Sequence, residues 1–251
     1  MTKSHESSSP GVSSHGTSSH GTSSRVVPRH IGYIVDGNRR WAKSHGIPTY
    51  EGHLAGYNAL KDVAIATIDA GVEYVSAYVF STENWQRSAD EVRRLMSLVL
   101  QLVTSDLPEF GKRNIRLKVL GSREGVDAKI IKAIEKAEAE TADNTAGVLA
   151  LCFNYGGQRE IVDATKQLIR LNVPADDITE ETIAEYLYAP EVPPIDMVVR
   201  TSGEQRLSNF MLWRAAYSEL LFLEKYWPDM TNDDVTYIIK EYTRRHRRFG
   251  E

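Results

Sequence analysis

Most of the residues able to do chemistry in this chain fall in three short polar clusters, each directly after an apolar run. IGYIV ends in Asp36, Gly37, Asn38, Arg39, Arg40 and Trp41. EYVSAYVF ends in Ser81, Thr82, Glu83, Asn84, Trp85, Gln86 and Arg87, and IDMVV ends in Arg200, Thr201, Ser202, Gly203, Glu204, Gln205, Arg206, Leu207, Ser208 and Asn209. Each cluster mixes arginine, hydroxyl or amide side chains and an acid. Guanidinium forks pair phosphate oxygens bidentately, hydroxyls and backbone N–H groups fill the remaining acceptors, and a carboxylate can hold a hydrated Mg2+. Gly37 lets the backbone turn tightly and approach a phosphate at a helix start. Arg39, Arg40, Arg87, Arg200 and Arg206 are too many for one small anion, so the pattern suggests two neighbouring diphosphates. Any one of these arginines alone would read as a solvated surface charge; their shared position after apolar runs argues otherwise. Asp36, followed by Gly37, also has the form of a turn residue, and no second carboxylate stands near it.

Other phosphate chemistries lack their signatures. The chain has no DDxxD box, no GxGxxG fingerprint and no GxxxxGK[ST] loop, and Asn38 stands where an aspartate-nucleophile phosphatase would need its second acid.

The elements that must carry the clusters follow from periodicity. Short apolar runs at Ile31 to Val35, Tyr74 to Phe80, Ile115 to Leu120, Val148 to Phe153, Ile195 to Val199 and Leu220 to Leu223 read as strands. Amphipathic stretches between them read as helices at Gly52 to Ala70, Asp127 to Ala142, Gln158 to Leu171, Thr179 to Leu187 and Thr231 to Arg245. A further helix opens at Ser88, with Glu91 placed to complete a capping box. Its stripe of Val92, Leu95, Met96, Val99, Leu102 and Val103 fits either a core face or the wall of a hydrocarbon tunnel. The predicted fold is α/β, a single domain with a central, largely parallel six-stranded sheet flanked by helices. In such a sheet, ligands sit beyond the carboxyl ends of the strands, where the three clusters fall.

Composition sets bounds. The chain has 251 residues and a formal net charge of -4, which argues against a nucleic-acid partner. Its single cysteine, Cys152, lies in an apolar run and reads as a buried hydrophobe, which with the lack of any disulfide framework points to the cytoplasm. The apolar stretch Leu95 to Val103 is too short to span a bilayer. Residues 1–27 read as a disordered Ser/His/Gly-rich tail without an apolar leader region, and 28–251 as the catalytic domain; His5, His15 and His20 have no fixed geometry for a metal.

From about Arg29 to Gly250 the chain resembles the cis-prenyltransferase family, which includes undecaprenyl diphosphate synthase. The resemblance is carried, in order, by RHIGYIVDGNRRWAKSHG, EGHLAG, YVFSTENWQR, NYGGQREI, VVRTSGEQRLSNFMLW, AAYSELLF and the closing RRFG. It implies condensation of isopentenyl diphosphate onto an allylic prenyl diphosphate with cis geometry and Mg2+. Asp36 would hold Mg2+ and the departing diphosphate, and Gly37, Asn38, Arg39, Arg40 and His53 would cradle that group beside Trp41. Ser81, Thr82, Glu83, Asn84, Trp85 and Arg87 would lie between the substrates. Asn84 has the position given to proton removal, yet an amide is a poor base, so it is expected to orient isopentenyl diphosphate. Arg200, Arg206, Leu207 and Ser208 would bind isopentenyl diphosphate, and Glu219 would complete the Mg2+ site. The family also implies a homodimer, with Arg248 and Gly250 reaching the partner's site, and peripheral membrane contact through the lipid product. Two departures stand out: Thr49 where many bacterial members carry arginine, and Phe153 where several long-chain members carry alanine. Phe153 is expected to pack; if it points into a tunnel, the product is short. Two rivals share the fold, an irregular head-to-middle coupling enzyme and a non-catalytic partner subunit; the latter typically loses the aspartate and arginines of the first cluster, which this chain keeps.

Overall fold

The computed structural model describes residues 27–245. The expected tail, apart from Val27, and Arg248 and Gly250 of the closing motif lie outside the described residues. Six strands form one sheet: β1 (His30–Ile34), β2 (Tyr74–Ser81), β3 (Ile115–Leu120), β4 (Gly147–Tyr155), β5 (Met197–Arg200) and β6 (Glu219–Phe222). Their order is β3-β4-β2-β1-β5-β6, and every neighbouring pair is parallel. The expected six-stranded α/β sheet is therefore present, with every carboxyl end on the same edge.

The helices are α1 (Asn38–Ser44), α2 (Thr49–Asp69), α3 (Ala89–Leu102), α4 (Leu107–Lys112), α5 (Ala128–Glu140), α6 (Gly157–Arg170), α7 (Glu180–Glu185) and α8 (Asn232–Arg245). Of these, α4 was not anticipated, and α1 only as a helix start after Gly37 without bounds, since neither carries a clear helical apolar period. One core cluster packs α2, α3, α5 and α8 against Val75, Ala77, Leu149, Leu151 and Phe153 on one face of the sheet. The alternate residues Tyr78, Ala150 and Cys152 face a second cluster containing Val192, Phe210, Met211 and Ala215. The connection after β1 thus covers one face and the connection after β5 the other, which opens a crevice between their carboxyl ends.

The α1–α2 corner depends on two glycines. A Cβ on Gly52 would lie 2.2 Å from the Asn38 carbonyl oxygen, and one on Gly56 would lie 2.3 Å from Asn38 Oδ1. Any larger residue would push α2 away from the start of α1. The Trp227 Nε1–H donates to the Gly56 carbonyl at 2.8 Å and anchors the same turn. Phe153 is fully buried and packs on Phe80, with ring centroids 5.7 Å apart, as the packing expectation requires. Cys152 is buried too. Among the described residues, no helix is long and apolar enough to cross a membrane.

Candidate active site

Asp36 follows β1 by two residues, and its position is fixed through the backbone. Its N–H donates to Thr201 Oγ1 at 3.0 Å, and the Thr201 hydroxyl donates back to its carbonyl at 2.6 Å. The carboxylate is left to side chains: Arg200 donates to Oδ2 at 2.8 Å, and Arg40 lies 3.3 Å from Oδ1. Burial would raise the Asp36 pKa, but the hydrogen bond and charge of Arg200, together with Arg40, outweigh it and hold the group below the usual carboxylate range. Asp36 is therefore ionised at neutral pH.

Arg200 ends β5 and is 4% exposed. Besides Asp36, it donates to the Arg206 carbonyl at 2.6 Å and to Ser208 Oγ at 2.7 Å. Its Nε is buried without a hydrogen-bond partner. The loop that wraps it is held in left-handed backbone at Ser202 (φ 74), Ser208 (φ 48), Asn209 (φ 65) and Met211 (φ 39). Asn209 ties this loop down: its side-chain carbonyl accepts from the Gln158 N–H at 2.8 Å, its backbone carbonyl accepts from Gly157 at 2.7 Å, and its amide donates to Glu83 at 3.3 Å. Asn209 closes the third polar cluster, and its type alone marks no role for it.

Two clefts meet at Asp36. The first, about 790 Å³, is lined by Asp36, Gly37, Asn38, Arg39, Arg40, Lys43, Thr49, His53, Asn84 and Arg87. The second, about 530 Å³, is lined by Asp36, Ser81, Glu83, Asn84, Arg87, Arg200, Ser208 and Asn209. Gly37, at φ 111, turns the chain into α1. Asn84 sits in the 3-10 turn Thr82–Gln86, where its Oδ1 accepts from the Ser81 N–H at 3.2 Å in a reciprocal cap. That hydrogen bond leaves the Asn84 NH2 as a donor to the clefts.

Glu91 does not act as expected. Its N–H is capped by Ser88 at 3.3 Å, but its carboxylate turns away from the cap. It accepts from Arg87 at 2.9 Å and from His53 Nε2 at 3.1 Å, joining α3 to α2. Because a carboxylate only accepts, Nε2 carries the proton. Burial, opposed by Glu91 but assisted by Arg87 and Arg39, keeps the His53 pKa below its ordinary value, so the ring is neutral at pH 7. Sequence reading missed Glu91 as a site residue, because the arrival of α2 beside α3 leaves no local mark.

Six nominated residues lie elsewhere. Trp41 donates to Asp229 at 2.6 Å and stacks on His45, with centroids 4.3 Å apart, so it does not wall either cleft. Trp85 donates to Asn154 at 2.8 Å and packs edge-on against Phe80. Thr82 sits against Gly156, and Leu207 packs on the second core cluster. Arg206 directs its guanidinium to Glu204 at 2.6 Å and offers only its carbonyl to Arg200. Glu219 opens β6 in register with Met197, whereas Arg200 pairs with Phe222. Three strand residues span about 10 Å, so Glu219 sits towards the opposite end of the sheet from Asp36, paired with Arg245 at 3.1 Å. Within this chain the expected Asp36–Glu219 pair does not form, because Asp36 follows its strand and Glu219 precedes its own. Among the described residues, no three of His, Cys, Asp and Glu gather into a metal cage.

A third, apolar pocket of about 60 Å³ opens from the first cleft. It shares Val35, Asn38, His53, Val79 and Leu95 with that cleft and continues between α2 and α3. The broad stripe of α3 therefore packs against the core and also walls this pocket.

A parallel sheet with arginines, hydroxyls and an ionised aspartate around twin clefts defines an α/β enzyme built to handle phosphate groups. Residues 34–250 match the prenyltransferase family model described as "Putative undecaprenyl diphosphate synthase". An isoprenyl transferase of Thermotoga maritima is 42% identical over 226 residues, covering 89% of this chain and 97% of that protein. A trans,polycis-polyprenyl diphosphate synthase of Thermobifida fusca, specific for (2Z,6E)-farnesyl diphosphate, is 44% identical over 230 residues, covering 90% of this chain and 81% of its own length. Among solved structures, lavandulyl diphosphate synthase from Lavandula x intermedia, in complex with dimethylallyl diphosphate, superposes with a TM-score of 0.86 at 32% identity, covering 90% of this chain and 99% of that one. The chain belongs to the undecaprenyl diphosphate synthase family and is a cis-prenyltransferase.

Proposed function

We propose that this chain joins isopentenyl diphosphate to an allylic prenyl diphosphate, with the allylic group in the first cleft and isopentenyl diphosphate in the second. One observation carries the assignment: the apolar pocket opens from the first cleft and shares with it His53, Val79 and Leu95. The substrate with a hydrocarbon tail fits there, and the five-carbon substrate fits the cleft of Arg200 and Ser208. Both clefts share Asp36, Asn84 and Arg87, where the two reacting carbons would meet.

The roles follow from chemistry. Arg39, Arg40 and Arg87 stabilise the diphosphate that leaves as its C–O bond breaks. Arg200 and Ser208 hold the second diphosphate, with the unpartnered Nε of Arg200 as an added donor. Asn84 donates to a diphosphate oxygen and aligns the double bond. Its carbonyl already serves Ser81, so the proton lost in forming the new cis double bond goes to water or a diphosphate oxygen.

Mg2+ suits this donor set. It is usually bound by one or two carboxylates together with substrate phosphates and water, and the Asp36 carboxylate retains acceptor sites beyond its two arginines. When bound, the ion would neutralise charge on the leaving diphosphate. Glu219 could serve the metal only from a neighbouring copy of the chain.

A homodimer is supported by the edge position of β6 and by the exposure of Leu220 on it and of Tyr217 just before it. A cytoplasmic setting accords with the lone buried thiol. Membrane contact would come only through the lipid product. The dimethylallyl diphosphate held by the lavandulyl relative keeps one second reading, the joining of two allylic diphosphates.

The test is turnover by the purified chain of labelled isopentenyl diphosphate with Mg2+ and primers of several lengths, with product length and double-bond geometry measured. Incorporation with new cis bonds is expected. No turnover with any primer would refute the proposal, and product from allylic diphosphates alone would favour the second reading.

A further inference from the structure

One of the residues that the apolar pocket does not share with the first cleft differs from its neighbours. Most of the lining beyond the first cleft is aliphatic, from Leu60, Leu98, Val99, Leu102 and Leu151, but Tyr57 is not. Tyr57 stands one helical turn beyond His53 on α2, so it lies deeper than the mouth. It is 7% exposed, and its hydroxyl donates to the Asp106 carboxylate in the turn between α3 and α4. Lys61, one turn further along α2, lies 2.9 Å from the same carboxylate and 5.3 Å from the centre of the Tyr57 ring. Lys61 and Asp106 are themselves mostly buried, at 18% and 15% side-chain exposure.

We propose that Tyr57, held by Asp106 and Lys61, is the floor of the product pocket and limits this enzyme to short prenyl chains. The proposal rests on the reading of the pocket as the site of the prenyl tail. A leucine at the floor could change rotamer as a chain lengthened. The Tyr57 ring cannot swing aside without breaking its bond to Asp106, whose carboxylate would lose a donor in a poorly hydrated place. A hydrocarbon tip passing the ring would then meet an ion pair and strip it of water without replacing any hydrogen bond. The stop is therefore both steric and chemical. The pocket is small as it stands: about 60 Å³, below the ~150 Å³ apolar cavity that admits a benzene.

The inference also accounts for the pattern of sequence. Tyr57 and Asp106 lie 49 residues apart, and Lys61 bridges them from the next turn of the helix that carries Tyr57. Phe153, the other aromatic considered for chain length, is buried against Phe80 and does not line the pocket.

The experiment compares product lengths made by wild type, Tyr57→Ala, Tyr57→Phe and Asp106→Asn under one ratio of isopentenyl diphosphate to primer, with the rate of the first condensation measured in parallel. Tyr57→Ala should lengthen the main product by at least an isoprene unit while the first condensation stays within about threefold of wild type. Tyr57→Phe keeps the ring but frees it, and Asp106→Asn removes the charge that pairs with Lys61 and weakens the bond that holds the ring; both should broaden the distribution towards longer chains. If Tyr57→Ala does not fold, these two variants decide. Unchanged product length in the folded variants would overturn the proposal. So would a uniform fall in turnover without a change in length, which is what a purely structural role produces. No turnover by wild type with any primer would instead remove the tail-binding reading on which the proposal stands.

Discussion

The two ends of the sheet carry similar polar residues in different states. At the carboxyl end, Asp36 and Arg200 meet at 2.8 Å, yet both line a cleft and Arg200 keeps a donor without a partner. At the amino end, Asp196 accepts the backbone N–H groups of Arg29 and His30 at 2.7 and 2.9 Å. His30 is fully buried there, donating from Nδ1 to the Pro193 carbonyl at 2.9 Å and accepting at Nε2 from Ser76 at 2.8 Å. Since a carbonyl only accepts, the tautomer is fixed with the proton on Nδ1. One end leaves hydrogen-bonding capacity unused beside a cleft; the other uses its capacity to close the fold. Residue type does not separate them, but leftover capacity does.

That contrast can be broken from either side. The largest effect is expected from Asp36→Ala, which should lower kcat/KM by on the order of a thousandfold while leaving the fold intact. Full activity in that variant would end the assignment of the carboxyl end. At the amino end, His30→Ala should cost about 2–4 kcal/mol in denaturant unfolding, because it opens a cavity and strips Ser76 and Pro193 of a partner. Its kcat/KM per folded molecule should stay within about threefold of wild type; a larger loss would make His30 functional.

A smaller effect comes from pH. Burial, aided by Arg214 and opposed by the Pro193 hydrogen bond, lowers the His30 pKa from 6.5 to about 4. Between those values the unfolded chain holds the proton and the folded one does not. Stability contributed by neutral His30 is therefore full above pH 6.5 and falls as pH drops towards 4, by about 3 kcal/mol in all. Unfolding curves at pH 7 and pH 4.5 should differ more for wild type than for His30→Asn. Equal differences would show that His30 does not carry the slope.

Much of this architecture was legible because strands buried on both faces read as continuous apolar runs. The edge strand β3 was legible differently, its alternation of Ile115, Leu117 and Val119 with Arg116 and Lys118 matching Ile115–Leu120 residue for residue, and the clusters headed by Asp36, Ser81 and Arg200 do gather at one edge. The helix α1 was legible only as a start after Gly37, because its residues lie inside a polar cluster with no apolar period to mark its extent. Glu219 shows the reverse case. It precedes its apolar run, so by the rule that located the other clusters it belongs at the amino end; only the family resemblance moved it to Asp36. Glu91 and the Tyr57–Asp106 contact were illegible for a different reason, since they depend on how α2 lies beside α3 and α4. Arg206 was placed correctly in the loop, but which way its guanidinium turns depends on Glu204.

The central claim is that two diphosphates occupy distinct clefts that meet at Asp36, and Arg200→Ala tests it most directly through the KM of each substrate. Arg200 lines the second cleft and not the first. The KM for isopentenyl diphosphate should rise on the order of tenfold to a hundredfold, as expected for loss of a charged hydrogen-bonding group, while that for the allylic primer changes by less than about threefold. Equal increases for both substrates would contradict the two-cleft assignment.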